Sequence, residues 1–251
     1  MRILLLSDIH SNLEALEACI SAAPPHDAVV NLGDVVGYGA SPNEVTERVR
    51  NLGGTFVRGN HDKVVTGLDD VKSFNPVAGL AALWNRDQLT NENLDWLRVL
   101  PQGPILLPEL PGVQFVHGAP GDEDQYVVTL QDAIPSMIES ASSVTFFGHT
   151  HIQGMFLFHG GFGETDHPAY ASIGQSDTCD LQLETGTNYM INPGSVGQPR
   201  DGDWRAAFAV FDSEQRVVTF CRVPYDIRSA QEKIFAANLP ARLGTRLAAG
   251  R

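Results

Sequence analysis

The sequence predicts an α/β protein, and three observations support this fold class. Early in the chain, apolar runs typical of buried strands alternate with segments that begin with helix-capping residues. Short blocks containing aspartate, asparagine or histidine, most of them beside a glycine, follow several of these runs. The chain has 251 residues, 43% of them hydrophobic, so it is long enough to bury one large core. We therefore expect a single domain over residues 1–251.

Three strands and two helices are predicted in the N-terminal part. Residues 3–6 are a continuous apolar run, as expected for a strand buried on both faces. Residues 28–32 are predicted to be a second buried strand, and residues 55–57 a third extended segment. Helices are predicted to begin after Ser11 and Ser41, which are typical N-cap residues. In open α/β sheets, ligands bind at the carboxyl ends of the strands, so the polar blocks stand where a site is expected.

The rest of the chain is predicted to be helical first and then mainly extended. Helical patterns occur at residues 76–87, 91–100, 127–140 and 226–237. Apolar runs predict strands at residues 105–107, 113–116, 144–147, 155–158, 187–191, 206–211 and 217–222. We expect the last three to be successive strands of a second sheet. Residues 160–186 give no clear pattern, and about 242–251 are predicted to be a frayed tail.

Composition and charge argue against binding of bulk nucleic acid, against disulfide bonds and against a membrane-spanning segment. A net charge of −13 argues against binding bulk nucleic acid, because that affinity rests largely on Lys and Arg neutralising phosphates. The three cysteines are odd in number and widely spaced, which favours reduced thiols over disulfides. The apolar N-terminal run ends at Ser7-Asp8 and no segment is long enough to span a membrane, so we expect a cytoplasmic protein.

Five polar blocks carry the predicted chemistry. They are Asp8-Ile9-His10, Gly33-Asp34, Gly59-Asn60-His61-Asp62, Val116-His117-Gly118 and Gly148-His149-Thr150-His151. Hard oxygen donors mixed with imidazoles, without a thiolate, suit borderline divalent metals. One Asp-x-His block alone is equally compatible with a structural role, but the joint occurrence of five blocks favours a metal site. The donors outnumber what one ion needs, so we expect two ions, and a single carboxylate such as Asp34 can bridge them.

In this order the five blocks resemble the calcineurin-like metallophosphoesterase superfamily, over roughly residues 1–200. The small bacterial and archaeal members are also similar in Asn192-Pro193-Gly194-Ser195. The resemblance implies a four-layer α/β/β/α sandwich of two packed mixed sheets flanked by helices. It also implies a dinuclear metal site.

The resemblance further implies a role for each residue of the blocks. The first ion would be held by Asp8, His10 and His151. The second ion would be held by Asn60, His117 and His149. Asp34 would bridge the two ions. His61 would be no ligand but the acid that protonates the leaving oxygen, and Asp62 would orient His61 and keep it protonated.

The implied reaction is the hydrolysis of small phosphodiesters or phosphomonoesters by in-line attack of a metal-bridging hydroxide. Manganese is the first choice of metal, with Fe, Zn, Co or Ni as alternatives, because the same nitrogen and oxygen donors accept all of them. The expected partner is a small phosphate ester, with nucleotides among the candidates. Three further residues are weaker predictions for substrate contact, since a cap or a surface charge explains each equally well: Asn12, Arg58 and Arg200.

Two other functions remain open at this point. A protein serine/threonine phosphatase would use the same chemistry on a larger substrate, although the chain has no obvious peptide-binding insert. A non-catalytic, metal-dependent interaction module belongs to a different class of protein. Such relatives usually lack the histidine of Asn-His-Asp or several metal ligands, and this chain retains His61 together with all seven predicted ligands. We therefore favour a metal-dependent phosphoesterase.

Overall fold

The computed structural model describes residues 1–251 and contains twelve strands. The strands are β1 (Arg2–Leu6), β2 (Ala28–Asn31), β3 (Thr55–Phe56), β4 (Ile105–Leu106), β5 (Val113–Phe115), β6 (Val144–Phe146), β7 (Gly154–His159), β8 (Phe162–Asp166), β9 (Asp177–Gln182), β10 (Asn188–Asn192), β11 (Ala206–Asp212) and β12 (Val217–Val223). They form two six-stranded sheets, with the orders β3-β2-β1-β11-β12-β9 and β4-β5-β6-β10-β7-β8.

Eight α-helices and two short 3₁₀ helices surround the sheets. The α-helices are α1 (Leu13–Ala22), α2 (Pro42–Leu52), α3 (Asn60–Val65), α4 (Pro76–Gln88), α5 (Asn91–Arg98), α6 (Leu130–Glu139), α7 (Ile227–Ala236) and α8 (Ala241–Thr245). The 3₁₀ helices are Val71–Ser73 and Leu247–Ala249. None of the helices has the length and apolar character that crossing a bilayer requires.

Both sheets are mixed, and β1 shows why they pack as layers. This strand is parallel to β2 and antiparallel to β11. Leu4 and Leu6 face the core under α1 and α2, whereas Ile3 and Leu5 face the core that the two sheets share, where they meet Phe115 of the second sheet. Burial of each such side chain contributes about 1.5–3 kcal/mol. A continuous apolar run is therefore needed here, because both faces of the strand are covered.

The second sheet is covered on its outer face by α6. Ala133 and Met137 of this helix are buried in a cluster with Phe156 of β7 and Met190 of β10. The order of layers is thus helices, first sheet, second sheet and helix. The predicted four-layer α/β/β/α sandwich of two mixed sheets is confirmed.

Two sequence-based expectations about the fold were wrong. The strands at 206–211 and 217–222 belong to the first sheet, because β11 pairs with β1 and β12 pairs with β11. Residues 160–186, which show no clear sequence pattern, contain β8 and β9, which are edge strands of different sheets. The C-terminal segment is folded rather than frayed: Leu243 and Leu247 are buried against helices α4 and α7, and the Gly250 carbonyl accepts a hydrogen bond from Gly202.

The carboxyl ends of the strands converge on one edge of the sandwich. Asp8 follows β1, Asp34 follows β2 and Asn60 follows β3 in the first sheet. His117 follows β5 and His149 follows β6 in the second sheet. The sheets meet at this edge, so polar residues from both of them face the same space.

Candidate metal centre

Seven buried residues meet where the two sheets converge. One group of donor atoms comes from Asp8, His10, Asp34 and His151. A second group comes from Asp34, His117 and His149. Within each group all donor atoms lie within 4.8 Å of one another, which is close enough for them to coordinate one ion. The amide oxygen of Asn60 lies 3.2 Å from Nε2 of His117 and so extends the second group.

Asp34 belongs to both groups of donors. Its Oδ2 lies 3.5 Å from Nε2 of His10 and 3.5 Å from Nε2 of His117. The other oxygen, Oδ1, accepts a 2.8 Å hydrogen bond from the backbone N–H of His61. This bond fixes the carboxylate so that Oδ2 stands between the two groups of donor atoms.

The hydrogen bonds of four histidines direct one ring nitrogen of each toward the centre. Nδ1 of His10, His117 and His151 lies 3.0, 2.8 and 2.6 Å from the carbonyl oxygens of residues 36, 32 and 198. Since a carbonyl only accepts, each Nδ1 carries a proton, and Nε2 is the nitrogen that the neutral ring would offer to an ion. In His149 the roles are exchanged, because Nε2 lies 3.2 Å from the Asp124 carbonyl. Metal-binding histidines are oriented by such bonds.

The backbone is strained where it presents these ligands. Nine non-glycine residues have a positive φ, and five of them are predicted ligands. These five are Asp8, His10, Asp34, His149 and His151, with φ between 50° and 66°. Residues held in this left-handed region cost about 1–3 kcal/mol each and cluster at functional sites. The strain therefore supports the interpretation of this edge of the sandwich as a functional site.

Close packing of the blocks explains the glycine at position 148. The left-handed residue of this turn is His149, so position 148 needs a glycine for lack of space and not for its backbone conformation. A Cβ at position 148 would collide with Oγ of Ser7. That hydroxyl donates a 2.6 Å hydrogen bond to Oδ2 of Asp8, and the backbone N–H of His149 also donates to the Asp8 carboxylate. The hydrogen bonds between His149 and Asp8 thus fix the first and the last of the five blocks relative to each other.

The turn that follows β10 holds the ligand blocks of the centre through hydrogen bonds. The Asn192 amide donates to the Gly148 carbonyl at 2.8 Å, and the Ser195 hydroxyl donates to the Asp8 carbonyl at 2.8 Å. The backbone N–H of Arg200 donates to the His151 carbonyl at 3.1 Å. One loop therefore fixes ligand blocks from both sheets.

Within the centre, the carboxylate of Asp34 is paired with the protonated imidazole of His117. Burial alone would raise the pKa of Asp34, but the charges of His117 and His61 outweigh it and hold that pKa well below its usual value. Burial alone would lower the pKa of His117, but Asp34 outweighs it and raises that pKa to about 10. Burial lowers the pKa of His149 to about 3, and the charge of His117 adds to this effect. A bound cation would replace the His117 proton, since metal binding requires neutral imidazole.

His61 differs from the four histidines described above. Its Nδ1 is buried but has no hydrogen-bond partner, so no carbonyl fixes its ring as a ligand. The ring lies 4.4 Å from Tyr38 and 4.5 Å from Phe74, measured between ring centroids. Burial lowers the pKa of His61 to about 4, although the charge of Asp34 opposes this effect.

Asp62 does not make the contact that the resemblance implied. Its carboxylate accepts hydrogen bonds from the backbone N–H groups of Val36 at 3.2 Å and Gly59 at 3.0 Å, and none from the His61 ring. Burial raises the pKa of Asp62 to about 7, and the charge of Asp34 acts in the same direction. Asp62 therefore holds two loops of the centre together and makes no hydrogen bond that would orient His61 or keep it protonated.

The three residues weakly predicted to contact substrate have different environments. Asn12 caps α1 through Ala15 and donates to the Gly197 carbonyl at 2.9 Å, so it, rather than Ser11, is the N-cap. Arg58 pairs with Glu123 at 2.7 Å. Both side chains thus have structural partners, and their contact with substrate stays a prediction.

Arg200 has an unused donor that an anion could engage. Its Nη2 donates to the Tyr38 hydroxyl at 3.3 Å and to Oε1 of Gln198 at 3.1 Å, whereas its Nε is buried without a partner. The guanidinium lies 5.6 Å from the centre of the Tyr38 ring. A guanidinium with an unused buried N–H beside a metal centre is suited to bind phosphate.

Comparison with known proteins identifies the family. Residues 1–216 match the family model of the calcineurin-like phosphoesterase superfamily domain. The chain belongs to the calcineurin-like phosphoesterase superfamily. The predicted family is therefore confirmed, and members of this superfamily bind divalent metals.

Full-length relatives support membership of the calcineurin-like phosphoesterases. A metallophosphoesterase of Sphaerobacter thermophilus is 39% identical, with a TM-score of 0.84, over 100% of this chain and 99% of that one. A protein of Methanocaldococcus jannaschii described as uncharacterized is 37% identical over 259 residues, which is 99% of this chain and 98% of that protein. A hypothetical protein of Pyrococcus horikoshii, 19% identical over 100% and 98% of the two chains, has a TM-score of 0.77 and supports the fold alone.

Three residues near the candidate metal centre were not predicted from the sequence. The Tyr126 ring lies 3.8 Å from the His149 ring, and Phe74 lies against His61. Asn85 is fully buried on α4 and holds the loop that carries Tyr38. Asn85 could have been noticed, because it occupies the apolar stripe of α4, where a polar residue needs a reason. Tyr126 and Phe74 give no such signal.

Proposed function

We propose that the chain is a phosphoesterase with two divalent metal ions, which hydrolyses small phosphodiesters or phosphomonoesters. One observation carries this proposal: Oδ2 of Asp34 lies 3.5 Å from Nε2 of both His10 and His117, between two groups of donors. Such a carboxylate is suited to bridge two ions. The seven residues proposed as ligands are Asp8, His10, Asp34, Asn60, His117, His149 and His151.

The donor set fits divalent ions of borderline character. It combines carboxylate and amide oxygens with neutral imidazole nitrogens, and it contains no thiolate. We propose manganese as the metal, with Fe, Zn, Co or Ni as substitutes. When bound, a pair of such ions supplies a nucleophile at neutral pH and neutralises charge on the phosphoryl group. Arg200 would bind a phosphoryl oxygen through its free Nε, and Tyr38 would hold the guanidinium in place.

His61 is proposed as the acid that protonates the leaving oxygen. Without substrate its low pKa leaves the ring neutral near pH 7. A phosphate ester placed beside it adds negative charge, and a neighbouring negative charge favours the protonated form of a histidine. No carbonyl or carboxylate occupies Nδ1, so the ring is free to donate a proton to substrate. General acid catalysis of this kind contributes typically about 10²–10⁴-fold.

The shape of the site favours a small ester over a phosphoprotein. The cleft that opens onto Asn60, His61 and His149 has a volume of about 270 Å³. Small-molecule sites usually have volumes of about 300–1,000 Å³. A protein phosphatase needs a surface that accepts an extended peptide, and this cleft is better matched to a compact substrate. A non-catalytic module has no need of an unpartnered His61 beside the metals.

Hydrolysis of two generic esters tests the proposed function. Purified protein would be freed of metal with a chelator and then assayed with p-nitrophenyl phosphate and bis(p-nitrophenyl) phosphate, with and without added Mn²⁺. We expect hydrolysis of at least one ester, dependent on the added ion. If neither ester is hydrolysed with Mn²⁺, or with Fe, Zn, Co or Ni in its place, the result would support the non-catalytic alternative. Undiminished activity after metal removal would contradict the metal mechanism.

A further inference from the structure

We propose that the cleft beside the metal centre binds the nucleoside part of a nucleoside monophosphate ester. This inference rests on the proposed function and specifies the substrate class of the same site. The cleft has a volume of about 270 Å³, and Asn60, His61 and His149 of the metal centre line it. A phosphoryl group held by the centre would therefore direct its ester substituent into this cleft.

Two aromatic side chains form walls of the cleft next to the reacting groups. Phe74 lies 4.5 Å from His61, and Tyr126 lies 3.8 Å from His149, measured between ring centroids. Tyr126 is 50% exposed, which leaves part of its side chain available to a ligand. Aromatic rings bind planar bases by stacking, whereas a sugar or an alkyl group gains less from the same surface. The walls therefore favour a leaving group that contains a planar ring system.

The charges around the cleft disfavour a second phosphate. Asp69 and Asp124 line it, and no arginine or lysine does. Lys63 pairs with both of these carboxylates and lies 3.4 Å from Glu123, which is also paired with Arg58. Two cationic side chains, Lys63 and Arg58, thus face three carboxylates beside the cleft, so the acidic groups outnumber the basic ones. A leaving group that carried further phosphates would be repelled, while an uncharged nucleoside can donate hydrogen bonds from its amino and hydroxyl groups to these carboxylates.

The volume agrees with one nucleoside. It lies just below the usual range for small-molecule sites, which is about 300–1,000 Å³. The cleft therefore has room for a single nucleoside. Together with the acidic residues at its opening, this volume points to nucleoside monophosphate esters instead of dinucleoside polyphosphates.

A pair of esters that differ only in the base tests this site. Adenosine 5′-monophosphate and 1-O-methylribofuranose 5-phosphate share the same leaving alkoxide and the same phosphate charge. Each would be assayed with Mn²⁺, both as the monoester and as its methyl diester. We expect kcat/KM to be about 5- to 150-fold higher for the adenosine ester, the ratio that base stacking on an aromatic ring supplies. Adenosine 5′-diphosphate is expected to be hydrolysed more slowly than the monophosphate.

Variants of the two aromatic walls identify the source of the preference. Tyr126→Leu and Phe74→Leu should each reduce the ratio of kcat/KM between the adenosine and ribose esters. Phe162→Leu is the matched control, because Phe162 is an aromatic residue that is 79% exposed on the edge strand β8, outside the cleft. It should leave the ratio unchanged.

Each outcome separates this inference from the proposed function. A wild-type ratio near one, or a ratio that neither wall variant lowers, would overturn the nucleoside site while hydrolysis of the ribose ester still supported a phosphoesterase. Faster hydrolysis of the diphosphate than the monophosphate would contradict the argument from charge. If neither these esters nor the nitrophenyl esters are hydrolysed, the proposed function fails and the nucleoside site fails with it.

Discussion

The Asn85 side chain accepts a 2.6 Å hydrogen bond from the Ser11 hydroxyl, and this bond ties helix α4 to the loop that carries His10. The same oxygen accepts the backbone N–H of Gly37 at 3.0 Å, and the amide nitrogen donates to the Gly39 carbonyl at 3.1 Å. One buried side chain thus positions two loops of the metal centre.

Replacing Asn85 with leucine should damage both stability and the site. Asn85→Leu leaves buried loop groups without partners, and each unsatisfied group costs about 1–3 kcal/mol. We expect a lower free energy of unfolding and weaker Mn²⁺ binding, measured by denaturant titration and by metal titration. Asn93→Leu is the matched control, since Asn93 is equally buried on α5 but bonds Arg50 and Asn43 away from the centre. Equal loss of metal affinity in both variants would refute a positioning role for Asn85.

Gly37→Ala should reduce catalysis through His61. Gly37 has a φ of 100°, and a Cβ there would collide with Nδ1 of His61. Displacing a reacting group by about 1 Å can cost roughly 10²-fold in rate, so we expect a fall of that order in kcat. Gly186→Ala provides the control, because Gly186 has a φ of 82° but open space around it. Gly186→Ala should introduce similar backbone strain but leave kcat unchanged. Similar losses of kcat in Gly37→Ala and Gly186→Ala would contradict this explanation.

His61 and Asp34 should respond differently to substitution. His61→Ala should retain metal and lower kcat by about 10²–10⁴-fold, the range for a positioned acid. Asp34→Ala should lose metal and activity together, because it removes the proposed bridge. The defect of His61→Ala should be largest for alkyl phosphate esters and smaller for nitrophenyl esters, whose leaving groups need little protonation. Metal content and kcat would be measured on both variants, and severe metal loss in His61→Ala would mean that His61 is a ligand.

Two buried thiols should make the protein less stable at alkaline pH. Burial raises the pKa of Cys19 well above its usual value and raises that of Cys221 to about 12. In the unfolded chain these thiols ionise near pH 9, but in the folded chain they stay protonated. The free energy of unfolding should therefore fall as the pH rises above 9, by about 1.4 kcal/mol per pH unit for each thiol.

Thermal or denaturant unfolding of Cys221→Ala between pH 8 and 11 would measure this effect. The variant should lose less stability than wild type over that range. Cys179→Ala, which removes a half-exposed thiol on β9, is the control. Parallel stability curves for wild type and Cys221→Ala would show that the Cys221 thiol does not contribute.

The family, the layers and the clustering of the ligand blocks were predictable because the signals are local. An apolar run followed within three residues by Asp8, Asp34 or His149 identifies both the strand and the polar residue at its end. Parallel strands then bring such ends to one edge. The assignment of each ligand to one ion remains a prediction.

Pairing between distant residues explains what could not be predicted. The sequence around Arg58 does not indicate that its guanidinium forms an ion pair with Glu123. The sequence around Asp62 likewise does not indicate that its carboxylate accepts a hydrogen bond from the Val36 N–H. The sheet to which β11 belongs depends on its register with β1, which local patterns do not encode. The folded C-terminal segment depends likewise on a surface built by α4 and α7.

Anomalous diffraction at the manganese absorption edge, from crystals grown with Mn²⁺, tests most directly whether Asp34 bridges two ions. We predict two peaks per chain, about 3.5–4 Å apart as in other two-metal sites. One peak should lie among Asp8, His10 and His151, the other should lie beside His117 and His149, and the Asp34 carboxylate should contact both. A single peak, or two peaks of which only one touches Asp34, would contradict the dinuclear centre.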